Sequence, residues 1–395
     1  MRQKLNIGLF GYGVVGESLY HVLKHSKTVD ASVCKICVKD KDKKRSLTQD
    51  KFTYDKEDII NNKDINLVVE LIDDADEAYD IVKSCLENQK SVVSGNKKML
   101  AHHLNELIEL QEQTGASLLY DASACGSIPI IRNIEEYYDN DLLKSVTGIL
   151  NGSSNYILSK IFNENSDYDS ALKKAQQLGF AESNPSLDVD GFDSLYKLII
   201  IATHALGTFV NPDKVFNYGI SNIQESDIRF ATEKGFKIKL VAQLIKLDDN
   251  SFTMFVIPRL VKPEKYIYNV EDEYNGVVIQ GEFYDKQFMF GKGAGGFPTG
   301  SAVLSDITAC SHNYKYEYKK QKYFKQLEYR ADHEIEIYLR YNSIVDFSLF
   351  EFSCISEKYS GKDYSYVIGK IKLSNLLKLK VVLPKLNIFL CYIRN

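Results

Sequence analysis

Asp193 and Lys197 stand four residues apart, the spacing that puts two side chains on one face of a helix. The residues after the lysine, LIIIA (198–202), are apolar all round such a helix, so the segment must be largely buried. On a surface this ion pair would contribute little. A lysine entering a buried helix is either paired or has its pKa drawn down, and both conditions suit proton transfer. Upstream, Pro185 and Gly191 break the chain, so residues 182–190 are expected to form a loop over the helix start. Its carboxylates Glu182 and Asp188 can grip the ammonium group of an amino-acid substrate. A divalent metal site is the competing reading, but no histidine accompanies the acids and no calcium-loop spacing is present.

A second constellation lies at the N-terminus. Gly11, Gly13 and Gly16 spell G-x-G-x-x-G directly after the apolar run 6–10 and before a segment of helical periodicity. The first glycine permits a tight turn, the second lets backbone approach a pyrophosphate, and the third lets helix and strand pack closely. Gly11, Tyr12, Gly13, Val14, Val15 and Gly16 are therefore candidate contacts to NAD or NADP, against the bland reading of a turn that binds nothing. The next strand ends in VKDKDKKR (38–45). Asp40 stands near the distance at which an acid takes the ribose 2′-OH of NAD, whereas Lys39 and its basic neighbours suit a 2′-phosphate. The balance leans to NADP, with dual use open. Lys97 follows the strand-like SVVS (91–94), at the edge where ligands of open α/β sheets collect. It is a candidate for meeting nicotinamide or substrate, although a surface loop lysine is the commoner outcome. Cys125, in DASACGSIP, could be a thiol nucleophile, but no motif places a histidine base beside it, and a buried structural cysteine is the stronger reading.

The elements that must position these residues alternate between strand and helix through the first third of the chain, which argues for a parallel sheet with helices on both faces. From about residue 137 the texture changes to longer helices, including 193–206, and alternating strands such as 237–246 and 251–260, expected to form an open sheet. We expect residues 1–134 with 299–318 to form an NAD(P)-binding Rossmann-type domain. Residues 135–298 are expected to form an α+β substrate and dimerisation domain, and 319–395 an extension of open role. With 395 residues, 26% charged residues and a net charge of −4, the chain has no basic field for nucleic acid. The seven cysteines are scattered without a CxxC pair, which fits a reduced cytoplasm. No apolar run is long enough to span a bilayer, and the first residues lack the features of a signal peptide.

The residues also carry a resemblance. Ala175-x-x-x-Gly179-Phe180-Ala181, Asn184-Pro185 and Asp188-Val189-x-Gly191-x-Asp193-x-x-x-Lys197 resemble the signature of homoserine dehydrogenases at every position. GNKKMLA (95–101), GILNGSSNYIL (148–158) and GKGAGGFPTGSAVLSDI (291–307) are similar to further motifs of that family, in its order, and the match covers about residues 5–310. The resemblance implies reversible hydride transfer between L-homoserine and L-aspartate 4-semialdehyde with NAD(P), in threonine, methionine and isoleucine biosynthesis. It implies that Lys197 handles the alcohol proton with Asp193, and that Glu182 and Asp188 hold the substrate's amino end. Lys97 would lie between cofactor and substrate, and Gly295 in the GAGG segment would close over the nucleotide. A homodimer or homotetramer is implied, as is a monovalent cation, usually sodium. Here Asp121 stands where the family has a glutamate, with the carbonyls of Ala124, Gly126 and Ile128 as further ligands.

Two departures stand out: Asp73-Asp74 replaces glycines common in relatives, and no D-x-P-G turn of a regulatory ACT domain follows EIEIYLRY (334–341). Feedback through such a domain is therefore not expected. The alternatives are another semialdehyde dehydrogenase working through Cys125, or a catalytically silent NADP-binding relative. Intact Lys197, Asp193 and Glu182 speak against the second.

Overall fold

Four short runs, LNIGLF, ASVCKIC, LVVE and SVVS, supply most of the first sheet, and the strands at its centre are buried on both faces, as a parallel sheet requires. The computed structural model describes residues 4–393 and divides them into two units. One comprises the residues up to Asp139 together with Lys292–Lys322; the other comprises Asn140–Gly291 together with the residues from Tyr323 on.

In the first unit, strands β1 (Leu5–Phe10), β2 (Ala31–Cys37), β3 (Phe52–Thr53), β4 (Leu67–Glu70), β5 (Ser91–Ser94) and β6 (Leu118–Leu119) form one sheet in the order β3-β2-β1-β4-β5-β6. Every pairing is parallel. This is the doubly wound order of a dinucleotide-binding domain, with its switch point between β1 and β4. Helices Val14–His25, Ala75–Glu87 and Lys97–Thr114 follow β1, β4 and β5. The acidic pair after β4 acts locally, because the Asp74 carboxylate accepts from the backbone N–H groups of Asp76 and Glu77 at 3.1 and 2.9 Å and caps the second helix. Asn96 caps the third through Met99 N–H at 3.0 Å, so that helix begins at Lys97.

The second unit holds an eleven-stranded sheet. Its strands are β7 (Leu143–Ile149), β8 (Phe216–Asn217), β9 (Lys237–Lys246), β10 (Ser251–Val261), β11 (Tyr274–Gly281), β12 (Lys286–Lys292), β13 (Glu328–Tyr329), β14 (Glu334–Tyr341), β15 (Phe352–Ser360), β16 (Ser365–Lys372) and β17 (Ile388–Ile393). The main path runs β12-β11-β7-β9-β10-β17-β14-β16-β15, with β8 and β13 paired to β10. Helix Phe192–Leu206 starts after Gly191, whose φ of +83° suits glycine, and every residue from Asp193 to Leu206 is buried.

The C-terminal segment, of open role in the sequence, joins this sheet. Strands β14, β15, β16 and β17, with short helices Ile344–Phe347 and Leu373–Leu379, make a split βαβ with antiparallel neighbours in the order β17-β14-β16-β15. It is tied down by an ion pair that is wholly inaccessible to water. Arg340 Nε lies 3.0 Å from both carboxylate oxygens of Asp227, on helix Glu225–Glu233, and Tyr338 donates its hydroxyl to the same carboxylate at 3.0 Å. Removing one partner of such a pair leaves a buried charge alone. Arg340→Met is expected to lower stability by about 3–5 kcal/mol in urea unfolding, and Arg340→Met/Asp227→Leu to recover most of the loss. Equal midpoints for the single variant and the parent would show that the pair does not hold the segment in place.

Candidate active site

The nucleotide end of the first unit is shaped by backbone. Gly11 has φ +91°, and a Cβ there would sit 2.5 Å from the Leu71 carbonyl oxygen; at Gly16 it would sit 2.4 Å from the Gly11 oxygen. Gly13 is different: a Cβ there meets no protein atom within 4 Å. The first and third glycines are thus required by the fold, and the second leaves room for something outside it. Among the described residues no side chain caps the start of helix Val14–His25, so its first N–H groups are available to a phosphate. Beside the loop lies a cavity of about 590 Å³ lined by Gly11, Tyr12, Gly13, Lys39, Lys43 and Arg45 among others. These residues fit a dinucleotide. Val14 is exposed beside the loop and Val15 is half-buried. Asp40, the expected ribose acid, accepts instead from the N–H groups of Asp42 and Lys43 at 2.9 and 3.1 Å and shapes its own turn. Lys39 pairs with Glu77 at 2.5 Å on the surface. Lys97 opens its helix half-buried, and Gly295, at φ +119°, precedes helix Gly296–Cys310.

The Asp193–Lys197 pair stands in the second unit. Lys197 Nζ lies 2.7 Å from Asp193 Oδ2 and 2.7 Å from the Leu150 carbonyl oxygen, with the lysine side chain 7% exposed. Two of its three N–H bonds thus have named acceptors. Asn151 binds the group together: its Nδ2 donates to Asp193 Oδ2 at 2.9 Å and to Asp188 Oδ1 at 2.7 Å. Its Oδ1 accepts the Ser154 N–H at 2.8 Å, capping helix Gly152–Glu164. Sequence reasoning does not single out Asn151 or the Leu150 carbonyl. A partial signal lies in GILNGSSNYIL, where an asparagine before a glycine and two serines reads as a helix cap.

Other expected positions fall differently. The segment over the helix start is not all loop, since Ser186–Val189 forms one helical turn that carries Asp188 into the cluster. Glu182 is exposed, and among the described residues its carboxylate makes no hydrogen bond or ion pair, so this structure does not bring it to Asp188. Asp190 accepts the Ser221 hydroxyl. Among the described residues no three His, Cys, Asp or Glu side chains are grouped so as to hold a metal ion. Cys125 is completely buried, so it is not placed to attack a substrate.

The expected monovalent cation site is a poor match. Asp121 Oδ1 accepts the N–H groups of Ile131 and Arg132 at 2.8 and 3.2 Å, capping helix Ile130–Glu136, and the Ile128 carbonyl accepts the Ile130 N–H at 2.8 Å. A cation is already supplied nearby: Arg132 lies 2.6 Å from Asp306, whose carboxyl is pushed up to about 7 by burial and by the Asp121 charge. Gly126, at φ +56°, is pressed against the Gly293 backbone, and Ala124 is buried in the short helix Asp121–Cys125. These contacts describe a structural cap rather than a cation cage.

A doubly wound nucleotide sheet in one unit and a buried lysine paired with a carboxylate in the other are parts that suit an NAD(P)-dependent oxidoreductase. Comparison with known proteins names the particular group. The homoserine dehydrogenase family profile matches residues 129–308, and the profile of the homoserine dehydrogenase NAD binding domain matches residues 11–121. Homoserine dehydrogenase of Helicobacter pylori is 36% identical over 314 residues, covering 78% of this chain and 74% of its own. That of Bacillus subtilis is 30% identical over 376 residues, 92% and 86% of the two chains. The crystal structure of a homoserine dehydrogenase from Thiobacillus denitrificans superposes with a TM-score of 0.84 at 25% identity, over 100% of this chain and 99% of that one. A hyperthermophilic archaeal homoserine dehydrogenase in complex with NADPH gives 0.69 at 25% identity, over 80% and 99%.

The chain belongs to the homoserine dehydrogenase family, whose NAD(P)-dependent reaction interconverts L-homoserine and L-aspartate 4-semialdehyde in amino-acid biosynthesis. Among the described residues, no helix is long and apolar enough to cross a membrane.

The double donation by Asn151 gives a test. Asn151→Asp keeps the oxygen that caps the helix but replaces both donated hydrogen bonds with a third negative charge. We expect a melting temperature close to the parent's and a fall in kcat/KM of at least about tenfold, roughly 1.4 kcal/mol of transition-state stabilisation. Parent-like kcat/KM would show that the bridge to Asp188 and Asp193 does not matter.

Proposed function

We propose that Lys197 carries the alcohol proton of the reaction, with Asp193 as the group that orients it. The observation behind this reading is the Lys197 ammonium group, buried between Asp193 Oδ2 and the Leu150 carbonyl with one N–H bond left for a reacting oxygen. When bound, NAD(P) supplies or accepts the hydride. In the reducing direction a forming alkoxide needs a proton, and a positioned ammonium group provides it; in the oxidising direction the neutral amine takes it back. Asp188, held by Asn151, receives the substrate's ammonium group, and Glu182, which is exposed in the free protein, is the second carboxylate of the substrate complex in this proposal. Lys97, at the carboxyl edge of the nucleotide sheet, serves the substrate and cofactor side. Gly11–Gly16 and the N–H groups of the following helix hold the pyrophosphate, and Gly295 adds backbone at the start of its own helix.

NADP is the preferred cofactor in this proposal. Asp40 is engaged by its own turn, while Lys39, Lys43, Arg45 and Lys56 line the cavity beside the loop and outnumber its acids Asp40, Asp55 and Glu77. We place the enzyme in a reduced cytoplasm, which its seven free cysteines support. It works as a homodimer or homotetramer. Edge strand β12 carries exposed Phe288 and Phe290, which stack on Tyr266 and Tyr274, an aromatic ladder that an isolated chain would leave in water.

Purified protein should oxidise homoserine at alkaline pH, faster with NADP than with NAD, and Lys197→Ala should abolish turnover while NADPH binds within about twofold of the parent, under 0.5 kcal/mol. Residual turnover within about tenfold of the parent would remove Lys197 from the proton step. Phe290→Asp should reduce the assembled mass seen by light scattering; an unchanged mass would place the contact elsewhere.

A further inference from the structure

Asn275, the second residue of β11, is completely buried, and the reaction as described leaves it without a role. Its Nδ2 donates at 3.0 Å to the Leu150 carbonyl oxygen, the same atom that accepts the Lys197 ammonium group at 2.7 Å. Among the described residues its buried Oδ1 has no hydrogen-bond partner. An unpaired buried amide oxygen is costly, and a leucine of similar size would avoid the cost. What the amide does in return is occupy one lone pair of one carbonyl. A carbonyl oxygen has two acceptor directions, so a donor fixed in one of them leaves the lysine the other.

The position of Asn275 is itself fixed by the helix that Asn151 caps. Asn155, on helix Gly152–Glu164, donates to the carbonyls of Val270, Asp272 and Tyr274 at 3.1, 3.0 and 3.1 Å, the last of these just before Asn275. Its Oδ1 accepts Lys239 Nζ at 3.2 Å, and that lysine also holds the Val270 carbonyl at 2.6 Å and Glu271 at 3.1 Å. Leu150, the helix and the start of β11 are therefore one hydrogen-bonded block. Both ends of that block meet at the carbonyl under Lys197.

We propose that Asn275 is a positioning residue for proton transfer: by occupying one lone pair of the Leu150 carbonyl it confines the Lys197 ammonium group to the other. With Asp193 taking a second N–H bond, the third is aimed at the reacting oxygen. The inference rests on Lys197 carrying the proton. Without Asn275 the lysine keeps both acceptors but gains freedom of angle, so chemistry slows while substrate binding, which Asp188 governs, does not change.

The test uses the full-length enzyme with homoserine and NADP. Asn275→Leu is expected to lower kcat at least tenfold, with KM for homoserine and the dissociation constant for NADPH within threefold of the parent, and to raise the solvent isotope effect on kcat. A parent-like kcat and isotope effect in the folded variant overturns the inference, and so does a parallel loss of kcat, homoserine binding and thermal stability. Asn275→Asp provides a second reading if the leucine variant does not fold. Asp193 and, through Asn151, Asp188 already face this cluster. An added carboxylate favours the charged lysine, so the acidic limb of the homoserine oxidation profile moves to higher pH. Superimposable profiles overturn the inference. Lys197→Ala separates the two claims: if it is inactive while both Asn275 variants match the parent, only the role of Asn275 fails.

Discussion

An ammonium group taken out of water must be given back what water supplied, and in the second unit the surroundings of Lys197 do this with two acceptors at 2.7 Å. Helix Phe192–Leu206 cannot lie on a surface, because its residues from Asp193 onward are buried all round. Placing a lysine on it commits the neighbouring elements to supply polar partners at fixed positions. Asp193 comes from the preceding turn of the same helix. The Leu150 carbonyl comes from the end of β7, where the chain leaves the sheet and enters helix Gly152–Glu164. Asn151 then serves as helix cap and as link between two carboxylates, so one side chain settles both local structure and site geometry.

The nucleotide sheet obeys a different constraint, the approach of backbone to backbone. Gly11 and Gly16 are forced by contacts at 2.5 and 2.4 Å that a Cβ would make with carbonyl oxygens of the same unit, and Gly13 is not forced by any protein atom. That asymmetry separates what the fold needs from what a ligand needs. The acidic residues after β4 show the same economy. Asp74 caps the helix that follows β4, and Asp121 caps helix Ile130–Glu136. In both places a carboxylate of limited reach meets backbone N–H groups at a helix start, where its charge also meets the favourable end of the helix dipole.

The C-terminal segment shows how a fold can hide in a sequence. Its strands β14 and β16 pair over eight residues, yet the helix between β14 and β15 is a single turn, Ile344–Phe347, and the strand β15 is largely exposed. A split βαβ is read from two amphipathic helices alternating with strands. With one helix shortened to four residues, that periodicity is lost. Strand β7 escapes a sequence reading for a related reason: LKSVTGI mixes polar and apolar residues, and its central place in the sheet comes from pairing with β9 and β11, both distant in the chain.

The sequence by itself determined the alternating nucleotide domain, the glycine turn, the buried helix with its lysine, and the family to which these motifs point. Each of those rests on spacing within a few residues, where helix and strand periodicity act directly. Tertiary structure alone decided which carboxylates gather around the lysine. Asp188 is drawn in by Asn151, 37 residues away, whereas Glu182 stays exposed outside the cluster. It also decided that Leu150 supplies an acceptor to Lys197, 47 residues along, and that Asn275 shares that oxygen from 125 residues away. Such contacts depend on how strands pair and helices pack, and no local pattern encodes the lone pair of a carbonyl oxygen.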